Sequence, residues 1–202
     1  GNNNTITETG TIAYGISGTG QTITTGSGSV VDFNANAGGA VSGSNLMVVG
    51  TGSNSISVTG NNDTIQSGGG SNTITASGAS DIYQYGNGVL AINNTGATNA
   101  LTFGSGISDS QLWLAQSGTD LKIDVMGTTN AVTVSNWFSG ASNQLQDITA
   151  GNADLANAQV AQLVQAMATY ATNNPGFNPA TATQVPNDPT LQSALAASWT
   201  HH

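Results

Sequence analysis

The side chains able to do acid–base, nucleophilic or metal chemistry are few and widely spaced. The 202 residues include nine aspartates, one glutamate (Glu8), one lysine (Lys122), no arginine, no cysteine and two histidines. The histidines are the last two residues, His201 and His202, where a chain end is expected to fray. A general base must instead be held within hydrogen-bond reach of the proton it takes. Asp120 and Asp124, four apart on an expected strand and so on one face, are the acids closest to a glycosidase-type pair. Without arginine there is no guanidinium clamp for a phosphate or an oxyanion. The glycines also do not follow the strand–GxGxxG–helix order of a nucleotide loop. Without cysteine there is neither a disulfide framework nor a thiolate metal site. The expected chain is not an enzyme.

What chemistry remains is that of scattered carboxylates. Asp63 and Asp81 stand eighteen residues apart. Only the elements that carry the two residues can bring them together.

Those elements announce themselves as a repeat. Every ninth residue from 47 is apolar or aromatic: Met47, Ile56, Ile65, Ile74, Tyr83 and Ile92. Two places before the first five stand Asn45, Asn54, Asp63, Asn72 and Asp81, with glycines such as Gly43, Gly52, Gly60, Gly70 and Gly78 a few residues earlier. In such a unit the glycine permits a tight turn, the short polar residue closes it, and three or four extended residues follow with one side chain inward. Two units make a coil of eighteen residues, and stacked coils bury a thin core that no single unit could bury alone. The six residues of the beat are the expected core.

The resulting fold class is mainly β: a parallel β-roll, or β-solenoid, of nine-residue half-coils over residues 1–100. Upstream the beat slips through Ile6, Tyr14, Ile23 and Val31, and residues 32–44 are expected to be irregular. From 101 to 150 the strands lengthen into an antiparallel β capping region. Asp120–Met126 and Ala131–Val134 flank the turn Gly127-Thr128-Thr129-Asn130 as a hairpin, and Trp113 and Trp137-Phe138 are expected to close the end of the core. Residues 151–202 are expected to be helical. One helix spans 157–172, with Asn157 as N-cap, Val160, Leu163, Val164, Met167 and Ala171 on one face, and Asn173-Asn174-Pro175 as its stop. A second covers 191–199.

Stacking predicts two columns of turn residues, one of Asn45, Asp63 and Asp81 and one of Asn36, Asn54 and Asn72. Asparagines about 4.8 Å apart can bond amide to amide along such a column, so the second is expected to be a structural ladder, with Asn45 contributing to the first.

The unit resembles the G-G-x-G-x-D-x-U-x nonapeptide of the RTX (haemolysin-type) family. The nearest matches are Gly60-Asn61-Asn62-Asp63-Thr64-Ile65 and Gly69-Gly70-Ser71-Asn72-Thr73-Ile74. Leu101–Ser108, Leu112–Leu114, Gly118–Ile123 and Val132–Phe138 are similar to the domain that follows such repeats, and Ala158–Ala168 to that family's C-terminal helix. The resemblance implies a secreted bacterial protein, extracellular or at the cell surface, with calcium held between turns. It also implies a C-terminal signal read by the type I secretion machinery. Asparagine replaces aspartate in most turns here, so few calcium sites are expected, and Asp63 with Asp81 is the candidate.

The function this implies is a non-catalytic structural module of an adhesin, surface-layer or matrix-fibre protein that self-associates through its roll. The alternatives are the folding and export tail of a secreted enzyme, or an ice-binding solenoid using Thr5/Thr7, Thr22/Thr24 and Thr73/Thr75. Composition agrees with an outward-facing, turn-rich object, since Gly, Asn, Ser and Thr make up roughly half of it. A net charge of -9 with a single lysine excludes nucleic acid and polybasic membrane binding, and no apolar run is long enough to span a bilayer.

Overall fold

A computed structural model describes residues 1–202. Twelve short strands wind into six coils, each coil giving one strand to each of two parallel sheets. The first sheet stacks β1 (Thr5–Thr7), β3 (Gln21–Thr24), β5 (Gly38–Ser42), β7 (Ser55–Thr59), β9 (Ser71–Ala76) and β11 (Val89–Asn94). The second stacks β2 (Ala13–Ile16), β4 (Val30–Phe33), β6 (Met47–Gly50), β8 (Thr64–Ser67), β10 (Ile82–Tyr85) and β12 (Ala100–Phe103). Inward residues align from coil to coil, as Ile56–Ile74–Ile92 in the first sheet and Val48–Ile65–Tyr83–Leu101 in the second. Alternate residues face out, which is the period-two consequence of extended backbone. The core is therefore a file of stacked side chains between two sheets, and it is the β-solenoid that the nine-residue beat implies.

The beat has a phase error at its start. Ile56, Ile65, Ile74, Tyr83 and Ile92 are buried, but Met47 lies on the outer face at 43% exposure, between Val30 and Thr64. Val48 is the inward residue and pairs with Ile65. The coils up to that point in the second sheet advance by 17 residues (Tyr14, Val31, Val48, Ile65), and only later ones advance by 18 (Ile65, Tyr83, Leu101). Residues 32–44 are also not irregular. They finish β4 and form β5, which lies in register with β3 and β7. The beat is silent there because Gly39 stands opposite Ile56, and a Cβ on it would collide with Gln21 O of the previous coil. Phe33 and Val41 carry the core instead.

Beyond the sixth coil the sheets change direction. The first continues through β15 (Ala131–Val134), which is parallel to β11, then β14 (Asp120–Val125) and β13 (Leu112–Ser117) as antiparallel neighbours. The second continues through β16 (Asp147–Ala150), β17 (Ala153–Ala156) and β18 (Trp199–His201). Helix α1 (Asn157–Asn173) packs on β13 and β17, turning Val160, Leu163, Val164 and Met167 inward. Its N-cap is Ala156 rather than Asn157, and no side chain closes that end. Helix α2 (Pro189–Ser198) is capped by Asp188, whose carboxylate accepts the Leu191 N–H at 2.9 Å.

The edge of β13 is covered in an uncommon way, the Leu114 N–H donating to Met167 Sδ at 3.0 Å. Trp113 and Trp137 are buried and Phe138 is half-buried, with the Trp113 ring 4.4 Å from that of Phe177 and 6.1 Å from that of Tyr170. These rings fill the cap, so they are not a flat platform for a sugar. No helix is long and apolar enough to cross a membrane.

The register sets a direct comparison. Val48→Ala should cost about 2–3 kcal/mol by removing buried methyl groups. Met47→Ser should stay within about 0.5 kcal/mol. Urea unfolding of both variants reads the difference, and equal losses would refute the observed phase.

Candidate functional site

Before seven of the twelve solenoid strands, the backbone N–H that precedes the strand is accepted by a side-chain oxygen from the following coil. On the side leading into the second sheet, Ile12 N–H donates to Ser29 Oγ at 3.0 Å, Leu46 to Asp63 Oδ1 at 2.8 Å, Asp63 to Asp81 Oδ1 at 2.9 Å, and Asp81 to Asn99 Oδ1 at 2.8 Å. On the other side Asn4 N–H donates to Gln21 Oε1 at 3.2 Å, Ala37 to Asn54 Oδ1 at 3.2 Å, and Asn54 to Asn72 Oδ1 at 3.0 Å. The ladders thus run mainly from side chain to backbone; only between the first coil and the second is there also an amide-to-amide bond, from Asn4 Nδ2 to Gln21 Oε1 at 3.0 Å. Bonds of this kind satisfy buried donors that would otherwise cost about 1–3 kcal/mol each.

The columns differ from the expected ones in two members. Leu46 and Ala37 hold the ladder positions, while Asn45 and Asn36 sit one residue earlier, exposed and left-handed, with φ of 55° and 60°. Asn62, Ser80 and Thr98 repeat that conformation immediately before Asp63, Asp81 and Asn99. Asparagine tolerates the left-handed region better than most residues, which is why it occupies this position at 36, 45 and 62. Asn99 belongs to the ladder, although the expected columns stop before it. It stands two residues before the buried Leu101, and one further step of the nine-residue beat beyond Ile92 reaches it.

The two remaining oxygens separate aspartate from asparagine. Asn72 Nδ2 donates to the carbonyls of Gly68 and Gly69, both at 3.1 Å. Asn99 Nδ2 donates to Gly78 O at 3.1 Å and Asn94 Oδ1 at 2.8 Å. Asp63 and Asp81 are each 1% exposed, and Oδ2 of both is buried without a partner. A methyl group built on Gly60 would collide with Gly43 O and lie 2.8 Å from Asp63 Oδ2; on Gly78 it would collide with Gly60 O and lie 2.9 Å from Asp81 Oδ2. Buried carboxylate oxygens therefore face the glycine carbonyls of the preceding coils, with no donor between them. Burial pushes the Asp63 carboxyl up to about 6, against the pull of the Leu46 N–H and with a further push from Asp81. Burial raises Asp81 as well, opposed by the Asp63 N–H. Partnerless carboxylate oxygens are the chemistry a hard cation could use, so Asp63 and Asp81 are the residues that could hold one, although no cluster of three or more His, Cys, Asp or Glu side chains surrounds them.

Of the other polar side chains, Asp32 Oδ1, Ser198 Oγ and Trp199 Nε1 are also buried without a partner, while the remaining candidate acids and histidines are engaged. Asp124 pairs with Lys122 at 2.8 Å, and Asp120 accepts the Asn136 N–H at 2.7 Å, so the two acids do not act as a pair. The terminal histidines are not frayed. His201 ends β18 and lies 3.2 Å from Asp109, and His202 lies 2.8 Å from Asp154. Outward threonines stack as Thr5–Thr22 and Thr7–Thr24, but Ala40 and Ser42 succeed them, while Thr73 stands in a different row between Ser55 and Ala91. A groove of about 440 Å³ between α1 and α2 is lined mainly by amides and hydroxyls, and its one acid, Asp188, is the α2 cap.

Fold and site define a parallel β-solenoid, capped at one end and stitched coil to coil by turn side chains. No protein-family model matches the chain.

A carboxyl whose folded value is raised holds a proton that the unfolded chain has released. Stability then falls as pH rises from the ordinary 3.8 through about 6, and is lowest above that. In chelator, the melting temperature should be higher at pH 5 than at pH 7.5. Asp63→Asn should raise the pH 7.5 value and flatten the slope; a melt unchanged between the two pH values would contradict the burial of these groups.

Proposed function

We propose that this chain is a structural module of a secreted extracellular protein, of adhesin, surface-layer or matrix-fibre type, which associates end to end through the first coil of its roll. The observation that supports the reading is the contrast, within residues 1–202, between the capped side of the stack and its first coil. At one end antiparallel strands and two helices close the core. At the other, β1 and β2 are outermost strands with one unpaired edge each, and Ile6 and Tyr14 cover the core only partly. Unpaired strand edges beside partly exposed apolar residues suit the addition of another parallel coil.

In this reading Asp63 and Asp81 hold one calcium ion between neighbouring coils, supported by their partnerless buried oxygens. Bound there, the ion would supply positive charge to a buried carboxylate pair and so lock two coils together. The C-terminal segment, α2 with β18, serves the type I secretion machinery during export. Its support is its position and the resemblance of the repeats to RTX proteins. The export tail of an enzyme would share the roll and the tail but would have no use for a sticky first coil.

Sedimentation velocity separates the two. The module should self-associate as concentration rises, and Ile6→Lys with Tyr14→Lys should return it to monomer while its circular dichroism is retained. A wild-type chain that stays monomeric throughout supports the export-tail reading instead.

A further inference from the structure

Three successive turns of one column share a geometry and differ at a single atom. In each, Oδ1 of the ladder residue accepts the N–H one coil earlier: Leu46 to Asp63, Asp63 to Asp81, and Asp81 to Asn99. In each, the second terminal atom of the side chain lies beside a glycine of its own turn, at the same place relative to the preceding coil's glycine carbonyl. A Cβ on Gly60, Gly78 or Gly96 would lie 2.8 Å from Asp63 Oδ2, 2.9 Å from Asp81 Oδ2 and 2.8 Å from Asn99 Nδ2 respectively. The same three Cβ atoms would collide with Gly43 O, Gly60 O and Gly78 O. At Asn99 the facing pair is a donor and an acceptor, and the bond is made, Nδ2 to Gly78 O at 3.1 Å. At Asp63 and Asp81 the facing atoms are both oxygens. No hydrogen bond reaches either Oδ2 or the carbonyls of Gly43 and Gly60.

Resting on the calcium reading above, we infer that Asn99 is the stop of the cation column, setting by its amide how many coils depend on calcium. Its Nδ2 carries into the turn the positive hydrogen that Asp63 and Asp81 must obtain from a bound ion. It also occupies Gly78 O, removing that oxygen from the ligand set of the coil before it. The second donation, to Asn94 Oδ1 at 2.8 Å, holds the amide in this orientation. Asn94 Oδ1 in turn accepts the Tyr83 hydroxyl at 3.2 Å, so the stop is fixed by three buried side chains. A carboxylate at position 99 would release Gly78 O and face it with oxygen, reproducing the arrangement at Asp81. The column can therefore be lengthened or shortened by one atom.

The test is calcium binding to the full chain by isothermal titration, with thermal melts in calcium and in chelator. Asn99→Asp should bind one more calcium ion per chain than wild type and should melt lower than wild type in chelator, with calcium restoring the loss. Asp81→Asn moves the stop up one coil. It should lose calcium binding and melt in chelator at or above the wild-type temperature. If wild type binds calcium and Asn99→Asp binds the same number, the role of Asn99 is overturned while the calcium reading stands. If wild type binds none, the calcium reading falls and takes this inference with it. Should Asn99→Asp fail to fold in chelator, recovery of its circular dichroism on adding calcium supports the inference. If it folds in neither condition, Asp81→Asn decides: retained calcium binding in that variant overturns the inference.

Discussion

The structure depends on the side-chain bonds that join a turn to the coil after it. Before seven of the twelve solenoid strands, the backbone N–H that precedes the strand is accepted by a side-chain oxygen 17 or 18 residues on. Because the bond joins a fixed position in one coil to the equivalent position in the next, it sets the register of the whole stack. A slip of one residue would break the bond and turn the inward isoleucines outward together. The file of side chains from Ile56 to Ile92 is thus held by the same contacts that close the turns.

The constraint asks only for an oxygen, and the chain meets it in several ways. Ser29 and Gln21 do so at short and long reach, Asn54, Asn72 and Asn99 with an amide, Asp63 and Asp81 with a carboxylate. The amide is self-sufficient because its nitrogen returns to the glycine carbonyls of the turn. The carboxylate meets the constraint equally well with Oδ1 but leaves a buried Oδ2 facing other oxygens. Where the ladder is built on asparagine, the turn is closed by the chain's own atoms. The two aspartates are the ladder positions that leave a buried oxygen without a partner.

The same logic divides what could be read from the residues from what could not. The inward beat, the Asp120–Val134 hairpin and the apolar face of α1 were legible because each is a periodicity, and periodicity survives without knowledge of neighbours. Met47 was misplaced because a 17-residue coil differs from an 18-residue one by a single turn residue, and both Met47 and Val48 are apolar. The strand β5 was invisible because close approach to Gln21 O admits only glycine at position 39, which erases the apolar signal. Asn36 and Asn45 were assigned to the ladder because two adjacent positions of the turn favour asparagine for different reasons, one for its oxygen and one for its left-handed backbone. The docking of His201 and His202 depends on β17 and on Asp109, which are distant in sequence, and no local pattern encodes it.

The cap shows how such a stack can stop. A parallel coil always leaves two strand edges for the next coil, so adding coils never removes the edge. Turning antiparallel breaks that recurrence: β15, β14 and β13 follow one another through short connections, as do β16 and β17, and no further coil is called for. The outer edge of β13 is met by a methionine sulfur from α1, and α2 folds the terminus back as β18, the outermost strand of the second sheet. Nothing comparable covers β1 and β2. Within residues 1–202 the stack is therefore directional. A further parallel coil, of this chain or another, fits before the first one, where the ladder can continue, because Asn4 and Ile12 already receive their oxygens from the second coil and would offer their own side chains to the coil before. Asn4 has the oxygen such a bond requires and Ile12 does not, so the two columns are unequally prepared at this end, and the asparagine side is the one on which a new turn can be closed.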